Sequence, residues 1–396
     1  MNEIKSNRIQ SIDILRGLVM VIMALDHVRD YFHINALTTN FPENLATTTP
    51  ILFFTRFITH YCAPTFIFLA GTSAYLYGQK RNSKQLSKFL ITRGIWLVFV
   101  ELFIMTFLWW FDVSFGFFNL QVIWAIGLCM VILGVAVYLP KRIVLILGLL
   151  IVFGHNALDS IVLEGKSTTS ILWYILHQSN FISISDHTFV SFLYPILPWT
   201  GVIFLGYSFG QLYTTDFSAA TRKKWLLYIG LGAITLFFIL RGANVYANLL
   251  PWETQETTAK TIISFFNLTK YPPSLDYLLI TLGPALLFLY AIENIQNKLT
   301  DFFLVFGRVP FFYYVLHVFI IHIAAILVLL IAGKDWTLMI LTFDKFMDPN
   351  ILTGYGYSLS VVYLIWIGIV LLLYPICRRY MRYKASHKDK WWLSYL

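Results

Sequence analysis

Asp26, His27, Arg29, Asp30 and His33 crowd together directly after an apolar run from Leu18 to Leu25. A histidine among carboxylates has the makings of a general base that takes a proton from a hydroxyl or an amine. Arginines supply a complementary function, because a guanidinium grips phosphate oxygens in a fixed fork. Asp13, Arg16, Met20, Met23, His27 and Asp30 are spaced by three or four, so in a helix they share one face. Arg16 and His27 then stand about 16 Å apart along the axis. That separation suits transfer from an anionic donor held near Arg16 to an acceptor activated at His27, with Asp26 or Asp30 orienting the imidazole. The competing structural reading is an ion-pair cluster of Asp26, Arg29 and Asp30 that anchors a helix end.

Later segments add candidates. Arg56 and His60 lie one turn apart, and Pro64 is expected to kink their helix just beyond. Arg93 and Glu101 mark the two ends of about two turns. Arg93 reads equally as a phosphate ligand or a headgroup anchor, and Glu101 sits deep enough to need a partner. Arg308 precedes His317 by two to three turns, whereas His322 falls on another face. Trp199 belongs to an aromatic, proline-bounded entrance, "LYPILPWTG". Gly71, Ser73, Gly201, Gly206 and Gly210 read first as helix-packing positions. No triphosphate-binding glycine loop, dinucleotide fingerprint, zinc-protease motif or serine elbow is present. Cys62, Cys129 and Cys377 are widely separated, and no metal is expected.

These side chains must be carried by membrane helices. The 396-residue chain is 58% hydrophobic and only 12% charged, against about a quarter charged in soluble domains. The early apolar run lacks a small-residue cleavage site and does not read as a signal peptide. Ten spans of helical length are expected near 12–32, 50–77, 89–110, 119–138, 142–157, 190–212, 225–243, 274–291, 308–331 and 359–377. The fifth is short, and "ILWYILH" at 171–177 is an interfacial helix or part of an eleventh span. With the N-terminus in the cytoplasm, inner segments hold 18 Lys and Arg and outer loops hold five, Lys166, Lys260, Lys270, Lys334 and Lys345. This bias explains the net charge of +9 better than nucleic-acid binding does. The expected fold is an all-α polytopic bundle of 10–11 transmembrane helices around a polar cavity. It forms one domain over 1–396 with a basic cytoplasmic tail at 378–396 and both termini inside. The long loops near 158–189 and 244–273 are expected outside, as covers over a cavity or as plain connectors.

Taken together, "SIDILRGLVMVIMALDHVRDYF", "FFTRFITHYCAPTFIFLAGTSAYL", "PILPWTGVIFLGYSFG", "FNLTKYPPSLDYLLITLGP" and "FGRVPFFYYVLH" resemble bacterial relatives of the heparan-alpha-glucosaminide N-acetyltransferase catalytic domain, over roughly residues 8 to 380. The chain is also similar to the wider transmembrane acyltransferases that modify surface polysaccharides, whose arginine and histidine have the spacing of Arg16 and His27. The resemblance implies transfer of an acetyl or other small acyl group from cytoplasmic acyl-coenzyme A, acetyl-CoA in the simplest case, to a hydroxyl or amine of an extracytoplasmic sugar or cell-envelope glycan. His27 would be general base or transient acyl carrier, with Asp26 and Asp30 beside it. Arg16, Arg93 and Arg308 would hold the donor. His33, Arg56, His60, Glu101, Trp199 and His317 would face the acceptor. The lysosomal member of the group has asparagine where His27 stands and its catalytic histidine farther along, so His33 competes for the reactive role.

The expected setting is a bacterial cytoplasmic membrane, with lipid as neighbour and a homodimer left open. Two other classes compete. A proton-coupled transporter also uses buried His, Asp and Glu, although no inverted pair of broken helices is visible. A non-catalytic assembly subunit would tolerate loss of the clustered charges.

Overall fold

The computed structural model describes residues 9–34, 41–343, 345, 348 and 354–394. Lys5 and Arg8, which enter the charge count above, lie outside the described residues. The first helix, α1 (Gln10–Phe32), is buried along most of its length. Its charged stripe therefore faces protein and cavity, and the helix forms the axis of the bundle.

Helix α2 (Pro50–Thr59) starts with Thr49, whose side chain accepts from the Leu52 N–H, followed by proline at the first helical position. It breaks at His60 and Tyr61 before α3 (Cys62–Gly78) begins. The break has a backbone cause. Pro64 has no N–H to give the carbonyl four residues earlier, and that carbonyl, of His60, accepts instead from the Tyr277 hydroxyl at 2.8 Å.

A capping box of Asn82 and Gln85 opens α4 (Ser83–Phe99). Its helix continues through a π turn at Val100–Met105 into α5 (Thr106–Trp110). Then come α6 (Val122–Ala136), α7 (Lys141–Gly154) with a 3-10 turn at His155–Leu158, α8 (Thr168–Leu176), α9 (Ile196–Phe209), α10 (Ala219–Ala243), α11 (Thr258–Phe266), α12 (Leu275–Ile292), α13 (Lys298–Arg308), α14 (Pro310–Ile331) and α15 (Leu359–Ser386). The 171–177 stretch falls in the nine-residue α8, too short to span a bilayer. The basic tail begins inside α15.

The protein is a polytopic, mostly helical membrane protein. Among the described residues seven helical stretches are long and apolar enough to cross a membrane: Pro50–Gly78, Ser83–Trp110, Lys141–Leu158, Ala219–Ala243, Leu275–Ile292, Pro310–Ile331 and Leu359–Ser386. The other three expected spans correspond to α1, which carries charges, and to α6 and α9, which have 15 and 14 residues.

The all-α expectation missed a small sheet. Strands β1 (Phe117–Asn119), β2 (Asn180–Ser185) and β3 (Thr188–Phe192) lie in the order β1-β3-β2. The β2–β3 pair is antiparallel, and β1 runs parallel to β3 with Phe117 opposite Phe189. These segments are short: the sequence reading has β2 in a loop and runs the expected spans 119–138 and 190–212 into the ends of β1 and β3.

Close helix contacts fix the axis. A Cβ on Gly307 would stand 1.7 Å from the Asp13 carbonyl oxygen, and one on Gly17 would stand 1.8 Å from that of Phe303. The backbones of α1 and α13 therefore meet where only glycine fits. Gly71 and Gly206 bring α3 and α9 together in the same way, as the packing reading of those glycines expects.

Candidate active site

Two cavities meet at α1. The first, about 330 Å³, is lined by Arg16, Arg93, Arg308 and Lys384, with Met20, Phe89 and Leu97 among its apolar walls. The second, about 640 Å³, is lined by Asp26, His27, Arg29, Asp30, His33, Glu43, Arg56 and Lys270. Met23, Phe66, Val122 and Tyr314 border both. These four side chains form an apolar wall with one phenol between a cationic chamber and a mixed-charge chamber.

The three arginines at the first cavity arrive from three helices, α1, α4 and the last residue of α13. Arg16 also braces helices: it donates to Asp13 Oδ1 at 2.8 Å, to Ser73 Oγ at 2.9 Å and to the Gly307 carbonyl at 3.3 Å. Ser73 is thus a polar partner as well as a small packing residue.

His27 lines the second cavity and its Nδ1 lies 2.7 Å from His317 Nε2, the rings parallel within 9°. His317 is fully buried, and its Nδ1 lies 2.8 Å from the Tyr313 carbonyl oxygen. A carbonyl only accepts, so His317 Nδ1 carries the hydrogen. In a neutral imidazole His317 Nε2 is then a lone pair, and His27 must donate to it from Nδ1. The free lone pair of His27 is therefore on Nε2. The chain of partners selects the tautomer that a general base needs. Trp109 meets the His27 ring edge-on at 4.7 Å and limits how the imidazole turns.

The catalytic-domain model of heparan-alpha-glucosaminide N-acetyltransferase matches residues 8–240, more than half of the chain. The chain belongs to this family. Membership establishes an acyl-transfer domain that works at a membrane. No curated protein matches the sequence. The match begins where the expected resemblance begins and ends well before 380, so Arg308 on the first cavity and His317 beside His27 lie outside the matched segment.

The carboxylates expected beside His27 hold arginines. Asp26 pairs with Arg29 at 2.8 Å and with Arg56, and Asp30 pairs with Arg29 at 2.6 Å. Arg56 donates from Nε to Glu43 at 2.8 Å, and His60 lies 3.6 Å from the same carboxylate oxygen. The result is a relay of alternating charge along one wall of the cavity, with Lys270 on the lining as a further cation. The structural reading of this cluster is thus realised, and the partner that orients His27 is His317. Burial pushes the Glu43 carboxyl up, but Arg56 and His60 outweigh it and hold the group well below its ordinary range.

The remaining expected residues divide. His33 caps α1, lines the second cavity and pairs by its backbone with Tyr357. Burial first, then Arg29, holds its imidazole below the ordinary value. Glu101 lines neither cavity. It sits in the π turn and its Oε2 accepts from the Trp124 N–H at 3.0 Å. It therefore caps the orphan donors at the start of α6. Trp199 is fully buried in α9 and stands behind Tyr194, ring centroids 5.6 Å apart. Tyr194 itself lines the second cavity.

Sequence reasoning missed Glu43, Tyr314, Lys384, Tyr194 and Asn267 as lining residues. Glu43 and Asn267 sit in loops with no periodicity to betray them. Tyr314 was legible, since it precedes His317 by three and shares its helix face. Lys270 and Lys384 entered only as charges in the topology count.

Proposed function

We propose that the protein moves an acetyl or other small acyl group from cytoplasmic acyl-coenzyme A to a hydroxyl or amine of an extracytoplasmic sugar. One observation carries this reading: a tautomer-selected histidine lines the mixed-charge chamber, one helical turn from Met23 and 6.2 Å from the Tyr314 ring, both of which border the cationic chamber as well. Family membership supports the acyl transfer, and the family's printed name supports an amino sugar as one acceptor class.

In this reading Arg16, Arg93 and Arg308, with Lys384, hold the donor's phosphates, and the apolar walls from Met20 to Met23 take its pantetheine arm. Asp26, Arg56, His33 and Lys270 offer donors and acceptors for sugar hydroxyls. His27 Nε2 takes the proton from the acceptor hydroxyl or amine as its oxygen or nitrogen bonds to the thioester carbonyl carbon. The carbon–sulfur bond then breaks, and coenzyme A leaves as the thiol with the proton from His27. His317 accepts from His27 Nδ1 throughout and spreads the imidazolium charge. Met23, Phe66, Val122 and Tyr314 move aside to admit the acyl end.

The charge bias supports ten spans with both termini inside, α1, α6 and α9 crossing beside the seven long apolar helices, and the resemblance to bacterial relatives supports a bacterial cytoplasmic membrane. Arg16 then faces the cytoplasm and His33 the exterior.

The test is purified protein incubated with labelled acetyl-coenzyme A and cell-envelope glycan, with product read by mass spectrometry. Labelled glycan, lost in folded His27→Ala, is the expected result. Normal transfer by that variant removes His27 from its role. Movement of an unmodified solute with proton flux in proteoliposomes, and no labelled product, identifies a transporter instead.

A further inference from the structure

Away from both cavities, the end of α7 and the end of α8 bring His155, Asp159 and His177 together. One ligand atom from each lies within 4.8 Å of the others. His155 and His177 are each 2% exposed. His177 Nε2 is 2.9 Å from Asp159 Oδ1. The second oxygen of Asp159 accepts from Asn156 Nδ2 at 2.8 Å, and Asn156 Oδ1 in turn accepts from the Leu275 N–H at 2.9 Å. The carboxylate is thereby oriented by a residue that is itself anchored to α12.

Both ring nitrogens of His155, and Nδ1 of His177, find no hydrogen-bond partner among the described residues. Burying an imidazole with neither nitrogen satisfied is costly. A hydrogen-bonded cluster would account for His177 and Asp159, but it leaves His155 unexplained. Two imidazoles and one oriented carboxylate match the ligand set of a borderline divalent transition metal and not that of magnesium or calcium.

We propose that His155, Asp159 and His177 bind a zinc-class divalent cation. The 3-10 turn that ends α7 supplies His155, and Asp159 follows directly after it, with their ligand atoms within 4.8 Å. His177 closes the site from the end of α8. The donor spacing about a tetrahedral zinc is about 3.3 Å for bonds of about 2.0 Å, so the site closes on the ion by rotation of the His155 ring, which no hydrogen bond restrains. The metal ties the 159–177 excursion to the end of α7. That excursion leads into β2 and β3 and then to Leu193 and Tyr194 on the second cavity. The ion is a structural staple for that wall and takes no part in acyl transfer.

The probe is Co²⁺, with Zn²⁺ as competitor, on the detergent-purified full chain. The expected result is about one ion per chain, visible cobalt d–d absorption that zinc abolishes, and loss of binding in His155→Ala and His177→Ala. His155→Cys is expected to keep the cobalt site and add a thiolate charge-transfer band. In the unaltered protein, chelation is expected to expose the 159–177 segment to protease. Equal metal content in the unaltered protein and both alanine variants, or no cobalt absorption in the unaltered protein, overturns the proposal. These readouts need no acyl transfer, so they stand or fall separately from the proposed reaction.

Discussion

His27 Nδ1 and His317 Nε2 stand 2.7 Å apart, although the two residues are 290 positions apart in the chain. The pairing puts the His27 imidazole of α1 under the control of α14. His317→Ala is expected to lower kcat for acyl transfer by about 10²-fold, the lower end of what general base catalysis contributes, with KM for acyl-coenzyme A unchanged. His317→Gln, whose carbonyl also accepts from Nδ1–H, is expected to recover much of the rate. Equal rates for the two variants would show that the hydrogen bond to Nδ1 is not what matters. Steady-state kinetics on folded protein decides.

Phe66 belongs to the wall between the chambers, so Phe66→Ala opens a path for water. The expected outcome is faster release of coenzyme A thiol without acceptor, and less product per thiol released. Thiol titration alongside product analysis measures both.

Arg93 and Arg308 approach the first cavity from different helices. A charge-assisted hydrogen bond is worth about 1.5–3 kcal/mol, so Arg93→Ala and Arg308→Ala are each expected to raise KM for acyl-coenzyme A about 10- to 100-fold while kcat holds. Arg16→Ala is expected to do this and also to lower the apparent Tm, because it loses Asp13 and Ser73 as well. A donor titration at several salt concentrations, with a melting curve in detergent, separates the effects.

Asp26 stands between Arg29 and Arg56, and all three are largely buried. Removing one member strands a charge, at about 3–5 kcal/mol. Asp26→Asn and Arg56→Met are each expected to lower the apparent Tm markedly, and the double variant by less than their sum. Additive shifts in this cycle would mean that the pair is not coupled.

Glu43 gives a pH dependence whose sign is set by its partners. Its folded carboxyl titrates below the ordinary value of 4.5, so the unfolded chain binds the proton more readily. The stabilisation is fully present above pH 4.5 and fades as pH falls through the folded value. Glu43→Gln is expected to flatten that acid limb of a Tm-against-pH curve and to leave its neutral slope unchanged.

Helical, membrane-embedded character and the stacking of Arg16, His27 and their neighbours on one face follow from residue type and period alone, because a helix repeats locally. The sequence also singled out the acyl-transfer family from short motifs, and the family match confirms it. Tertiary structure decided the partners. Which group orients His27, which carboxylate holds Arg56 and that Glu101 caps α6 are all contacts between separate elements, 23 to 290 residues apart. Nothing local encodes them: a lone carboxylate beside a histidine reads as its partner until packing gives that carboxylate two arginines. The same holds for His155, Asp159 and His177, where the first two lie close in the chain, but only the return of the chain through α8 delivers the third.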